Sequence, residues 1–163
     1  MNHPTTLLVV SDRAARGERE DETEARLRPV LAAAGFDLVD VRVLADERDA
    51  IADALRDAAE RVSLVLTTGG TGIGPRDVTP EATREVLDLE LPGLGEAMRR
   101  RSVGATIKAL GSRALGGVRG RAVVLNLPGR PAGAVECFEA VAGALGHLIA
   151  LRRGPVPDRA HEP

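Results

Sequence analysis

The sequence predicts an α/β fold of three layers, a mainly parallel sheet with helices on both faces. Four short apolar runs rich in Val, Leu and Ile, at residues 6–10, 38–44, 63–67 and 122–126, have the length and composition of buried strands. Segments with apolar residues at helical spacing separate them, so consecutive strands need right-handed crossovers and pair in parallel. Each run also stops at polar or glycine residues: Asp12, Asp46, Thr68 to Asp77, and Asn126 to Gly129. A parallel topology gathers such residues on one rim, at the carboxyl ends of the strands, where sheets of this class bind ligands.

The 163 residues, 44% of them hydrophobic, are enough for one domain with its own core, assigned to residues 1–152. Residues 153–163 are proline-rich and polar, and a disordered tail is expected there. With two Phe and no Trp or Tyr the core is aliphatic, and no aromatic platform exists on which bases would stack. A net charge of −2 adds no basic excess, so nucleic acid is not an expected partner. One cysteine makes no internal disulfide, and Met1 opens onto polar residues, unlike a signal peptide; a cytoplasmic location is expected. No apolar run is expected to reach the ~18 residues of a membrane span.

In chain order, Leu7 to Val10 forms the first strand and ends at Ser11-Asp12-Arg13, with Asp12 open between an Asx turn and a functional group. Ala14 to Glu20 is expected to be a mobile loop. Asp21 and Glu24 have the spacing of a capping box for a helix carrying Leu27, Val30, Leu31 and Ala34, which Gly35 closes; Pro29 predicts a kink or a late start. Val39, Val41 and Val43 alternate with Asp40 and Arg42, the period of a strand near the sheet edge. Asp46 follows at a helix start, where an aspartate is favoured as N-cap.

The most specific stretch is Leu66-Thr-Thr-Gly-Gly-Thr-Gly-Ile-Gly-Pro-Arg-Asp-Val-Thr-Pro-Glu-Ala-Thr83. A buried strand runs into Gly69, Gly70, Gly72 and Gly74, where successive backbone N–H groups can approach an anion. The loop is neither a phosphate-binding Walker loop nor a dinucleotide fingerprint. The only lysine is Lys108, and the third glycine of the dinucleotide spacing is absent, Asp77 standing at its place. Thr79, Pro80 and Glu81 then open a helix. Further on, a helix is expected over about 94–101, with Arg99, Arg100 and Arg101 open between phosphate contact and a solvated face, the second preferred. Residues 111–117 should form a turn and a short edge strand. The last buried strand reaches Asn126, and Pro128-Gly129-Arg130-Pro131 leads into a helix over about 132–151, with Cys137 and His147 as packing residues. No cluster of Cys and His for a metal is found in the sequence.

The Thr-Thr-Gly-Gly-Thr-Gly and Pro-Arg-Asp-Val-Thr-Pro-Glu-Ala-Thr segments, with Leu125-Asn126-Leu127-Pro128-Gly129, resemble the molybdenum-cofactor biosynthesis family that includes molybdopterin adenylyltransferase and the G domain of gephyrin. The resemblance spans Leu7 to about Leu151 and implies a molybdenum-cofactor biosynthesis protein-like fold. It also implies transfer of AMP from ATP to molybdopterin, with release of pyrophosphate. Asp46 and Asp77 match the two acids the family uses, and would act in catalysis and hold Mg2+. Thr68, Gly69, Gly70, Thr71, Gly72, Ser112, Pro128 and Gly129 would hold the pterin and its phosphate, with the nucleotide toward Asp12 and Asp46. Resemblance alone suggests a homotrimer, and a downstream molybdenum-insertion protein as a partner.

Two features depart from the family pattern. A proline usual near the start of the second element is replaced by Pro29 further on, and lysine near the sites is scarce; Arg replaces it in charge but not in geometry. The alternatives are a non-catalytic molybdopterin-binding paralogue, serving as scaffold or carrier, and a related nucleotide hydrolase of the competence-damage type. Arg76 followed by a single Asp77 favours the transferase over the hydrolase, and retention of Asp77 favours it over the paralogue.

Overall fold

A computed structural model of the chain describes residues 2–154. Six strands form one sheet in the order β2 (Phe36–Leu44), β1 (His3–Val10), β3 (Leu64–Thr68), β6 (Ala122–Leu127), β5 (Gly116–Arg119), β4 (Leu89–Glu90). The first four are mutually parallel, and β5 and β4 are antiparallel to their neighbours. Side chains of β1 alternate strictly between two cores. Leu7 and Val9 join Leu31, Leu66, Leu125 and Phe138 on one face, whereas Leu8 and Val10 join Ile51, Leu55, Val65 and Val124 on the other. A strand must be apolar on both faces to do this, which is why the runs read as continuous hydrophobics.

Helices α2 (Thr23–Ala33), α5 (Pro92–Val103) and α6 (Pro131–Arg153) cover the first face, and α3 (Arg48–Arg61) and α4 (Thr79–Val86) the second. A four-residue α1 (Asp12–Ala15) and a 3-10 helix over Ile107–Gly111 complete the elements. The expected mobile loop over residues 14–20 thus begins as a helical turn, with Ser11 accepting from the amide of Ala14. Residues 155–163 lie outside the described residues, and with them the expected disordered tail; Arg153 still belongs to α6.

Several local expectations are corrected. Instead of a capping box, Asp21 accepts from the Thr23 amide at 2.7 Å and Glu24 pairs with Arg28 at 2.7 Å. Pro29 is accommodated inside α2, and Gly35 ends the helix region with φ of 84°. Strand β2 is indeed an edge, but a register shift between Thr5 and Thr6 leaves Val39 out of the pairing, and Val39 and Val43 are exposed. The edge on the other side is β4, so β5 is interior. Helix α4 starts at Thr79 itself, with Val78 at the N-cap position and no side-chain cap.

Helix α6 overturns the expectation that no segment has the length and apolarity of a membrane span. Its 23 residues include an 18-residue window of mean hydropathy 1.5. The apolarity is used in the fold: Ala134, Cys137, Phe138, Val141, Leu145 and Ile149 recur every three or four residues and are buried among α2, α5 and β6.

Candidate active site

Two carboxylates from different strand ends meet on the rim, beside the glycine loop that carries Asp77. Asp12 follows β1 and Asp46 follows β2, and the two loops are tied by a reciprocal pair of bonds. The Asp12 amide donates to Asp46 Oδ2 at 2.8 Å, and the Asp46 amide donates to Asp12 Oδ1 at 2.9 Å. Asp46 is therefore not the helix cap the sequence suggests; Glu47 holds the N-cap position of α3, without a side-chain cap bond. Burial raises the Asp46 carboxyl above its ordinary value, the Asp12 amide opposes this, and the charges of Asp12 and Asp77 push it further up. Arg76 straps the cluster from outside, donating to both Asp12 oxygens at 3.0 and 3.1 Å and to Glu47 at 2.8 Å. Its hydrogen bonds hold the Asp12 carboxyl below the usual carboxylate range.

The glycines permit this convergence. A Cβ on Gly70, whose φ is 65°, would lie 2.3 Å from Thr79 Oγ1 and 3.1 Å from Asp46 Oδ1. Cβ atoms on Gly72 and Gly74 would each lie 2.9 Å from Asp77 Oδ2. The Asp77 carboxylate rests against two bare Cα atoms and accepts from the Gly74 amide at 2.8 Å. From below, Thr79 donates its hydroxyl to the Gly69 carbonyl and its amide to the Gly70 carbonyl. Buried Asn126 donates to Thr67 and Thr83, and Thr83 in turn donates to the Thr79 carbonyl. Asn126 is thus part of the foundation and not of the rim.

Beside the acids opens a cavity of about 600 Å3, lined among others by Thr71, Gly72, Ser112, Pro128, Arg99 and Arg130. Arg99 faces inward and donates to the Ala114 carbonyl at 2.8 Å, which corrects the expected solvated face for that residue. Lys108 and Cys137 also line this cavity. Burial raises the Cys137 thiol, and Ser102 lies 3.2 Å from its sulfur.

Similarity to known proteins decides the family. Residues 6–147 match the family described as "Probable molybdopterin binding domain". The molybdopterin adenylyltransferase of Helicobacter pylori strain J99 is 39% identical over 152 residues, covering 91% of this chain and 86% of the relative. That of Escherichia coli K12 is 41% identical over 148 residues, covering 88% and 75%. The molybdopterin biosynthesis enzyme MoaB of Thermus thermophilus superposes with a TM-score of 0.87 at 47% identity, covering 94% of this chain and 98% of that one.

The chain belongs to the molybdopterin-binding Mog/MoaB family. The α/β architecture with a mainly parallel sheet is that of these Mog/MoaB proteins. The sequence-derived site residues fall into three groups, with Thr68 apart from them. Asp12, Asp46, Gly70 and Asp77 gather at the acidic centre, while Thr71, Gly72, Ser112 and Pro128 line the cavity. Gly69 and Gly129 do neither, but bring the two loops together: a Cβ on Gly129 would lie 3.2 Å from the Gly69 Cα. Thr68 is buried, and its hydroxyl has no hydrogen-bond partner among the described residues. Sequence reasoning placed Arg113 only by resemblance, in a Ser-Arg pair with Ser112 near the pterin, set a solvated face above phosphate contact for Arg99, and did not single out Arg76 as a strap or Arg130 as a cavity cation. The Arg113 acceptors are mostly main-chain carbonyls, which leave no trace in a sequence.

Proposed function

We propose that this chain is a molybdopterin adenylyltransferase, transferring AMP from ATP to molybdopterin with release of pyrophosphate during molybdenum cofactor biosynthesis. The observation that carries it is the shared loop: residues 70–77 pack against the Asp46 and Asp77 carboxylates on one side and form the cavity wall, through Thr71 and Gly72, on the other. Two anionic substrates can therefore meet across one glycine-built partition. The pterin and its phosphate would occupy the cavity, held by Thr71, Gly72, Ser112, Pro128, Arg99 and Arg130. Thr68, Gly69 and Gly129 would shape the backbone behind them. ATP would lie toward Asp12 and Asp46.

Asp46 and Asp77 would hold Mg2+. Each presents an Oδ1 that accepts no hydrogen bond among the described residues, and carboxylates with substrate phosphates are the hard oxygen donors this ion takes. When bound, the ion supplies charge neutralisation between two acids and a triphosphate. The protein's own part is positioning: the amide of Asp12 orients Asp46 and the amide of Gly74 orients Asp77.

Residues 1–152 would act as one molybdopterin-binding unit in the cytoplasm. A homotrimer is proposed too. It is supported by the apolar groove of about 460 Å3 that Leu91, Leu94, Ala97, Ala140, Ala144 and Leu148 leave open between α5 and α6. A downstream molybdenum-insertion protein would receive the product. Incubation with molybdopterin, ATP and Mg2+ should yield adenylylated pterin and pyrophosphate in equal amounts. Binding of molybdopterin with no product would favour the non-catalytic paralogue, and ATP consumption without adenylylated pterin the hydrolase.

A further inference from the structure

We infer that Arg113 is the positioning residue of this centre: its guanidinium grips both ends of the Gly72–Asp77 turn and thereby sets where the Asp77 carboxylate lies. The inference rests on the adenylyl-transfer function proposed above and adds to it the residue that holds the acid in place.

Arg113 Nε donates to the Gly72 carbonyl at 2.7 Å and one terminal nitrogen donates to the Asp77 carbonyl at 2.7 Å. The other terminal nitrogen pairs with the Glu81 carboxylate on α4. The Arg113 amide adds a bond to the Thr71 carbonyl at 2.9 Å. All three side-chain nitrogens are thus turned toward the protein, and Arg113 does not line the 600 Å3 cavity. It acts on substrate only through the turn it holds.

Among the described residues that turn has one other side-chain tether to the rest of the fold. Its residues are Gly72, Ile73, Gly74, Pro75 and Arg76, and Ile73 is 83% exposed, so no buried side chain anchors it. Within it, Asp77 and Gly74 exchange two bonds, making a closed unit that moves as one piece. Its other tether is Arg76, whose side chain is 56% exposed and whose ion pairs are weakened by salt. The Arg113 contacts are the better shielded, and a planar fork satisfies three separate acceptors in a way a lysine ammonium does not.

The test compares the full chain with Arg113→Met and Arg113→Lys. Arg152→Met serves as control, since Arg152 grips the Gly120 carbonyl through two nitrogens, remote from the turn. Amide hydrogen exchange is followed without substrate, and turnover is measured across a Mg2+ titration with and without low-millimolar guanidinium. In both Arg113 variants exchange should quicken about tenfold over residues 69–78 and stay unchanged in β1. Turnover should fall about 100-fold, the scale for a catalytic group displaced by about 1 Å. The Mg2+ needed for half-maximal rate should rise, guanidinium should restore part of the Met variant's rate, and Lys should not substitute. Unchanged exchange over 69–78 would overturn the inference. So would a rate loss that merely tracks the unfolded fraction and ignores guanidinium. If wild-type protein makes no adenylylated pterin, the proposed function fails, and the exchange result alone still decides the role of Arg113.

Discussion

Gly70→Ala and Gly72→Ala, two residues apart in one loop, should fail in opposite ways. At Gly70 the backbone φ is 65°, a left-handed conformation that costs an L-residue about 1–2 kcal/mol. The added Cβ would also sit 2.3 Å from Thr79 Oγ1, which must swing away from the Gly69 carbonyl it now serves. Leaving that buried acceptor unpaired adds about 1–3 kcal/mol. A total of roughly 3 kcal/mol lowers the melting temperature by about 6–12 °C in a chain of this size. At Gly72 φ is not positive, and the new Cβ meets only the far end of the Asp77 side chain, at 2.9 Å. The carboxylate can move aside, so stability should change by under about 1 kcal/mol, the range of an ordinary surface substitution. Turnover should nevertheless drop about 100-fold, because the acid is displaced. Thermal melts and initial rates of pyrophosphate release, measured on both variants, separate the two effects. A Gly72→Ala protein with wild-type turnover would refute the place given to Asp77, and an undiminished melting temperature for Gly70→Ala would refute the close packing of Thr79.

Asp46→Asn should abolish most activity, by about 100-fold or more on the scale of a lost electrostatic contact, while melting at the same temperature as wild type or higher at neutral pH. The sign follows from the raised carboxyl: the folded state binds its proton more readily than the unfolded one, so ionisation costs stability as pH rises above the ordinary value of 3.8. The thermal gain of the Asn variant should therefore shrink as pH is lowered, and a gain that grew instead would contradict it. Arg99→Met should raise KM for molybdopterin about tenfold with kcat little changed, since a cavity cation contributes binding in ground and transition states alike. Asn126→Ala should cost about 2–3 kcal/mol in urea unfolding, because Thr67 and Thr83 lose a buried donor. Chelator should stop turnover and Mg2+ restore it; activity indifferent to chelator would remove Asp46 and Asp77 as metal ligands.

What the sequence disclosed was local or periodic. The strands were legible because β1, β3 and β6 face apolar layers on both sides and so carry unbroken aliphatic runs. Their carboxyl ends were legible because Asp12, Asp46 and the glycines follow at once. The bulge at Val39 was not, because alternation continues through it while the pairing shifts. Nor was the true partner of Asp46: a carboxylate before a helix reads as a cap, yet it is claimed by the Asp12 amide, 34 residues away. The arginines were least legible of all. Arg76, Arg99 and Arg113 look alike as letters, but one straps exposed acids, one turns into a cavity and one grips carbonyls. Only the assembled fold decides which, since the partners lie 15 to 64 residues away in sequence.

A double-mutant comparison bears most directly on the claim that two aspartates from separate loops serve one adenylyl-transfer centre. Rates of adenylylated pterin formation would be measured for wild type, Asp46→Asn, Asp77→Asn and the double variant. Groups acting as a unit predict that either single change removes most of the rate and that the second adds little. Losses that multiply independently, or product formed at wild-type rate by Asp77→Asn, would contradict a shared centre.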